Sequence, residues 1–164
     1  MADGCVRLGP HPILASMTSA VATAPSTLGP VRVELRDGRI VAIDFEPSDQ
    51  QNADAVAAAA SVAAFIDGEA DTIPHELAID GTPFQRSVWQ ALRDTRPGET
   101  ISYTELAARV GRPQAARAVA SACGANRLAV AIPCHRIVRK DGGLGGFRWG
   151  LDRKRALLKR ERLG

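Results

Sequence analysis

A cysteine and a histidine stand side by side at Cys134-His135, after the apolar run Leu128-Ala129-Val130-Ala131-Ile132 and a proline, Pro133. A thiolate is the most nucleophilic side chain near neutral pH, and a neighbouring imidazole can take the thiol proton. Pro133 fixes its own φ and removes a backbone donor, so the run predicts a strand giving way to an irregular, fixed backbone at the thiol. A third group lies 27 positions further on, at Glu161. The segment from Asp152 to Arg162 reads as a helix with an apolar face of Leu151, the Lys154 stem, Leu157 and Leu158. Glu161 falls on that face, whereas Arg155, Lys159 and Arg162 lie away from it. A carboxylate at a core-facing position needs a partner, and His135 is the obvious one.

Composition narrows the setting. The cysteines Cys5, Cys123 and Cys134 are odd in number and have no metal-ligand spacing, which argues against a disulfide framework and for a reducing cytosol. Cys5, His11 and His75 are too scattered to suggest a zinc site, so no metal is expected. Neither a secretory signal nor a run long enough to span a bilayer is read. Charge is strongly polarised: residues 1–82 hold 4 Lys and Arg against 12 Asp and Glu, and residues 83–164 hold 17 against 6. A half at +11 joined to a half at −8 suggests that the basic half meets a polyanion, although a solvated basic face would read alike.

The elements that must position these groups fall into two halves. Residues 1–15, with Gly4, Gly9, Pro10 and Pro12, read as a flexible leader. Met17 to Thr23, the alternating Val31–Leu35, and Ile40–Phe45 after the Asp37-Gly38 turn predict a three-stranded antiparallel meander. The alanine-rich residues 50–66 predict a helix. A boundary is placed in the polar, turn-rich residues 67–82, giving an N-terminal unit at 16–81 and a C-terminal unit at 82–164.

The second half reads as helices. One runs from Pro83 to about Thr95 with Phe84, Val88, Ala91 and Leu92 on its stripe. Ser102-Tyr103-Thr104-Glu105 has the form of a capping box and opens another, ended by Gly111-Arg112. Pro113 starts a third, from Gln114 to Cys123, which completes a helix-turn-helix. Ala115, Ala116 and Ala118 leave its surface smooth, and Arg117 is the one long side chain on it. The glycine-rich Gly142–Gly150 lets backbone approach a ligand closely but lacks the spacing of a phosphate loop.

The residues then resemble a family. Ile-Pro-Cys-His-Arg-Ile-Val at 132–138 is similar to the active-site signature of O6-alkylguanine-DNA alkyltransferases. So, in order, are Thr82-Pro83-Phe84-Gln85 through Trp89, Gly98–Tyr103, Ala115–Val119, Asn126 and Gly145–Gly150. The resemblance covers residues 82 to 162 and is nearest the C-terminal half of the bacterial adaptive-response protein. It implies an α+β fold, with a ribonuclease H-like N-terminal sheet and helix and a mostly helical, winged helix-turn-helix-like C-terminal domain. It implies direct-reversal repair in which the alkyl group of O6-alkylguanine passes irreversibly to Cys134, without a cofactor; the sequence leaves open whether O4-alkylthymine is also a substrate.

Carried over residue by residue, the resemblance makes His135 the base acting through a water and Glu161 its orienting partner. Asn126 steadies the turn and bonds near the thiolate, and Tyr103 donates to guanine N3. The substrate pocket would be the carbonyls of Cys134 and Ile137, the Arg148 backbone and a stacking Phe147, where many relatives have tyrosine. Arg117 would enter the stack of a flipped nucleotide from the minor groove, with Ala115, Ala116, Ala118, Tyr103 and Arg136 also at the DNA. The implied partner is double-stranded DNA, bound by a monomer that is cooperative on DNA or not, in a nucleoid-associated cytoplasmic setting.

Rival readings are weaker on specific residues. Taken singly, Tyr103 reads as core, Asn126 as a helix-end residue and Cys123 as a small buried thiol. A helix-turn-helix regulator needs polar base-reading side chains where this helix has alanines. A cysteine hydrolase needs no basic half, and a lesion-binding relative of the family replaces the nucleophile with tryptophan.

Overall fold

A computed structural model describes residues 19–163. The leader expected at 1–15 and the start of the first strand at Met17 lie outside the described residues. Strands β1 (Ala20–Ala24), β2 (Val31–Arg36) and β3 (Arg39–Asp44) form an antiparallel sheet in the order β1-β2-β3. The alternation of β2 decides its faces: Val31, Val33 and Leu35 are buried, and Arg32, Glu34 and Arg36 point the other way. Asp37 and Gly38 both have positive φ, 51° and 75°, as a two-residue hairpin turn between right-twisted strands requires.

Helix α1 (Ala53–Asp67) lays Ala55, Ala58, Ala59, Val62, Ala63 and Ile66 on the sheet. Its start lies three residues later than the expected 50. Gly68, at φ 76°, ends it by donating back to Ala64 and Phe65. The free edge of β3 is not bare. It makes parallel bridges through Ile40 to Leu77 and through Ile43 to Leu128, and the second of these joins the sheet edge-on to the second half.

That half contains α2 (Pro83–Arg93), α3 (Tyr103–Arg109), α4 (Ala116–Gly124) and α5 (Leu151–Leu163). Thr82 with Gln85 and Ser102 with Glu105 form complete capping boxes on α2 and α3. Helices α2, α3 and α4 pack on one another, and the indole of Trp89 in α2 donates to the Ala122 carbonyl of α4 at 2.9 Å.

Three expectations change here. The second helix of the pair starts at Ala116, not at Pro113 or Gln114, because Ala115 has φ −96° and ψ 28° and Arg112–Ala115 closes a turn instead. The second half is not purely helical: β4 (Ile101–Ser102) and β5 (Ile137–Val138) form a parallel pair too short to leave any periodicity. Leu128–Ile132 is not a strand, since only Leu128 bridges to the sheet and the chain then turns sharply.

Candidate active site

Cys134 opens a single 3-10 turn, Cys134–Arg136, between the loop that follows α4 and strand β5. Two tight turns deliver it. The first is closed by Ala131 N–H to the Ala129 carbonyl at 2.7 Å, with Val130 at its centre at φ 61°. The second is closed by Cys134 N–H to the Ile132 carbonyl at 2.8 Å around Pro133, φ −80° and ψ 60°. A β-branched residue in the left-handed region is strained by roughly 1–3 kcal/mol and persists only where its surroundings over-determine it. Asn126, fully buried, braces both turns. Its Oδ1 accepts from Leu128 N–H at 2.8 Å, and its Nδ2 donates to the Ile132 carbonyl at 3.1 Å and to Cys134 Sγ at 3.2 Å.

His135, next in the turn, is buried and directs Nε2 to Glu161 Oε1 at 2.7 Å. An ionised carboxylate only accepts, so Nε2 carries the proton and Nδ1 is left as the basic nitrogen. Nδ1 is buried without a protein partner. Burial lowers the His135 pKa against the pull of Glu161, keeping the ring neutral at rest. Burial would raise the Glu161 pKa, but the hydrogen bonds from His135 and Arg136 and the Gly98 amide hold it at about 2. The expectation that Glu161 pairs inward with His135 matches this geometry.

Arg136 was expected at the DNA, and this does not hold. Its guanidinium is buried, donating from Nε and Nη2 to Glu161 and from Nη1 to the carbonyl and hydroxyl of Thr95. Sequence alone cannot separate this arginine from its exposed neighbours, because a single charged residue in a short turn has no periodicity to report its direction.

Sequence reasoning also missed Lys154. The helical pattern predicts burial of its stem only, yet the whole residue is at 0 % exposure. Its ammonium donates to the carbonyls of Ile137 and Gly146, tying β5 to the glycine-rich loop. Burial lowers its pKa, opposed by the negative charge the nearby thiols would carry. The Ile137 carbonyl thus accepts from lysine through one of its two lone pairs, and the Ile137 side chain is buried. The available signal was the lysine itself on a leucine face, which ordinarily means a snorkelling stem.

The thiol lies in a cleft of about 380 Å³ lined by Tyr103, Ala120, Cys123, Gly124, Cys134, Gly146, Phe147 and Arg148. Cys123 is thus a wall of the cleft rather than interior core. Phe147 packs edge-on against Trp149, with centroids 5.3 Å apart. Cys134 is only 8 % exposed, and burial raises its pKa against the Asn126 hydrogen bond and the charge of Lys154. On the outside, Arg117 and Ala118 of α4 are exposed and Ala115 and Ala116 partly so. Among the described residues no cluster of three or more His, Cys, Asp or Glu could hold a metal, and no helix is long and apolar enough to cross a membrane.

Comparison with known proteins gives this arrangement a class. Residues 83–163 match the model of the 6-O-methylguanine DNA methyltransferase DNA-binding domain. The fold matches the crystal structure of Mycobacterium tuberculosis OGT in complex with DNA, with TM-score 0.77 and 35% identity, covering 88% of this chain and 93% of that one. A methylated-DNA–protein-cysteine methyltransferase of Mycolicibacterium paratuberculosis is 44% identical over 128 residues, 76% of this chain and 78% of the relative. The chain belongs to the methylated-DNA–protein-cysteine methyltransferase family. It is also 65% identical over 85 residues to the regulatory protein ada of Salmonella typhimurium, but the match spans only 24% of that protein. Against the Salmonella typhimurium methyltransferase it spans 50%.

Proposed function

We propose that this chain repairs alkylated duplex DNA by moving the alkyl group of O6-alkylguanine onto Cys134, once per molecule. The observation that carries the reading is a buried thiol, bonded by Asn126, on a cleft next to a His135–Glu161 pair. In the free protein the thiol is protonated and shielded, so the reagent is kept from casual electrophiles. The thiol proton passes through a bridging water to Nδ1 of His135, and Glu161 stabilises the imidazolium. Sulfur attacks the alkyl carbon in line; the S–C bond forms as the C–O6 bond breaks, and the electron pair leaves with the guanine. Tyr103 donates its hydroxyl to guanine N3 and offsets the charge of that leaving group. Burial raises the Tyr103 pKa, which keeps the hydroxyl protonated for this role.

Lys154 adds a positive charge that favours the thiolate and holds the two segments bordering the base. The base stacks on Phe147, with the Arg148 backbone and the Cys134 carbonyl at its polar edges. Because guanine O6 is inside the duplex, the nucleotide is flipped out. Helix α4 enters the minor groove through its alanines, and exposed Arg117 fills the vacated stack. Residues 82–164 carry out binding and transfer, leaving 16–81 as a separate supporting unit. Since the product is a thioether on the protein, the chain is consumed.

The test is incubation with duplex DNA bearing radiolabelled O6-methylguanine or, in a second arm, O4-methylthymine. Label should move to the wild-type protein from the first and be absent from Cys134→Ala. Failure of the wild type to take label would sink the reading, in favour of a lesion binder or a regulator.

A further inference from the structure

The reading above leaves the N-terminal sheet without a part in the chemistry. We infer that strand β3 is a positioning element for the Cys134 thiol, holding the preceding loop in a backbone shape it would not keep alone; the inference rests on the alkyl-transfer reading. Ile43 is the junction. Its N–H donates to the Arg127 carbonyl at 2.8 Å, and its carbonyl accepts from Ala129 N–H at 3.1 Å. Both backbone groups are thus directed away from β2, although Ile43 stands opposite Val33 in the register. Removing the Ile43 donor therefore subtracts nothing from the β2–β3 ladder itself.

The residue after Ala129 is Val130, buried at 3 % exposure and held at φ 61°. Left to itself a β-branched residue moves to negative φ. Such a move would swing Ile132 and Pro133, because Ile132 N–H is bonded to Leu128 at 3.0 Å within the same fold of chain. The Ile132 carbonyl is where Asn126 and the Cys134 amide both attach. An unbroken series of bonds consequently runs from Ile43 through Ala129, Ala131 and Ile132 to the turn that carries the thiol. A second tie alongside it, Arg127 to Glu34 at 3.9 Å, is exposed and long and adds little.

The experiment compares single-turnover transfer from labelled O6-methylguanine duplex at saturating DNA with duplex affinity measured by fluorescence anisotropy. Ile43→Pro deletes the donor. It should slow transfer by about tenfold or more while duplex affinity stays at the wild-type value, since a misplacement near 1 Å suffices for such a loss. Adding Val130→Gly to Ile43→Pro should recover part of the rate, because glycine keeps positive φ without a clamp. A folded Ile43→Pro protein that transfers at the wild-type rate overturns the inference, as does a slow one that Val130→Gly leaves unchanged. Should Ile43→Pro fail to fold, amide exchange on the wild type decides. The Ala129, Ala131 and Ile132 amides should open together with those of β2, and exchange at the faster rate of exposed loops overturns the clamp. A wild type that takes no label refutes alkyl transfer instead, and the exchange result stands apart from it.

Discussion

Two walls of one cleft each present a thiol, one half-buried and one buried, and they differ most in what surrounds the sulfur. Cys123, on the small-residue wall made by α4, has its pKa pushed up to about 12 by burial. Cys134, on the turn wall, is also raised by burial, but Asn126 donates to its sulfur, whereas the Lys154 charge acts on both thiols. Behind the turn wall, His135, Arg136 and Glu161 form a buried ion-paired network; the cleft residues of the α4 wall, Ala120, Cys123 and Gly124, bring no charge. Burial alone makes a thiol inert. What separates a reagent from a wall residue is the set of donors and the base arranged around it.

Removing each sulfur in turn should give the largest difference between the two walls. Cys134→Ala should lose methyl acceptance entirely, while Cys123→Ala should still take one methyl, on Cys134, as read by peptide mapping after reaction. A label found on Cys123 would erase the distinction between the walls.

The network behind the turn should show the next largest effect. Glu161→Ala leaves the buried Arg136 guanidinium without its carboxylate and His135 without its orienting partner. Urea unfolding should register a loss of about 3–5 kcal/mol, and single-turnover transfer should fall by roughly 10²-fold. On the other wall, Arg117→Ala should slow transfer from duplex DNA by about tenfold, as the cost of unstacking goes uncompensated. The same variant should be close to wild type on a single-stranded substrate, where no stack is vacated.

Acid should distinguish the network more gently. Glu161 sits at about 2 when folded against an ordinary value of 4.5, so its stabilisation is complete above pH 4.5 and fades as pH falls toward 2. His135 is also lowered, so the unfolded chain takes up its proton first, and stability begins to fall below its ordinary value of 6.5. Thermal unfolding followed from pH 7 downward should therefore lose stability in two stages, and His135→Asn should remove the first.

Much of the fold could be read from the sequence wherever one residue type repeats at a fixed period. The β2 alternation, the alanine helix, the Asp37-Gly38 turn and the Ser102 capping box each encode their geometry locally. The His135–Glu161 pair was legible too, because a carboxylate on a leucine face has to be answered. Other features depend on contacts that no local pattern records. Arg136 turns inward only because Thr95 and Glu161 meet it, and Lys154 is buried to its ammonium only because two carbonyls converge there. The left-handed Val130 contradicts its own local preference, and the bonds that flank it come from Asn126 and from the distant edge of β3.

Consumption of Cys134 by the reaction can be read from its stoichiometry. With O6-methylguanine duplex in large excess, intact-mass measurement over time should show the protein gaining one methyl group per chain and then no further change. The guanine repaired should equal the protein added. Repair continuing beyond one lesion per chain, or repair with no mass gain on the protein, would mean that Cys134 is not consumed.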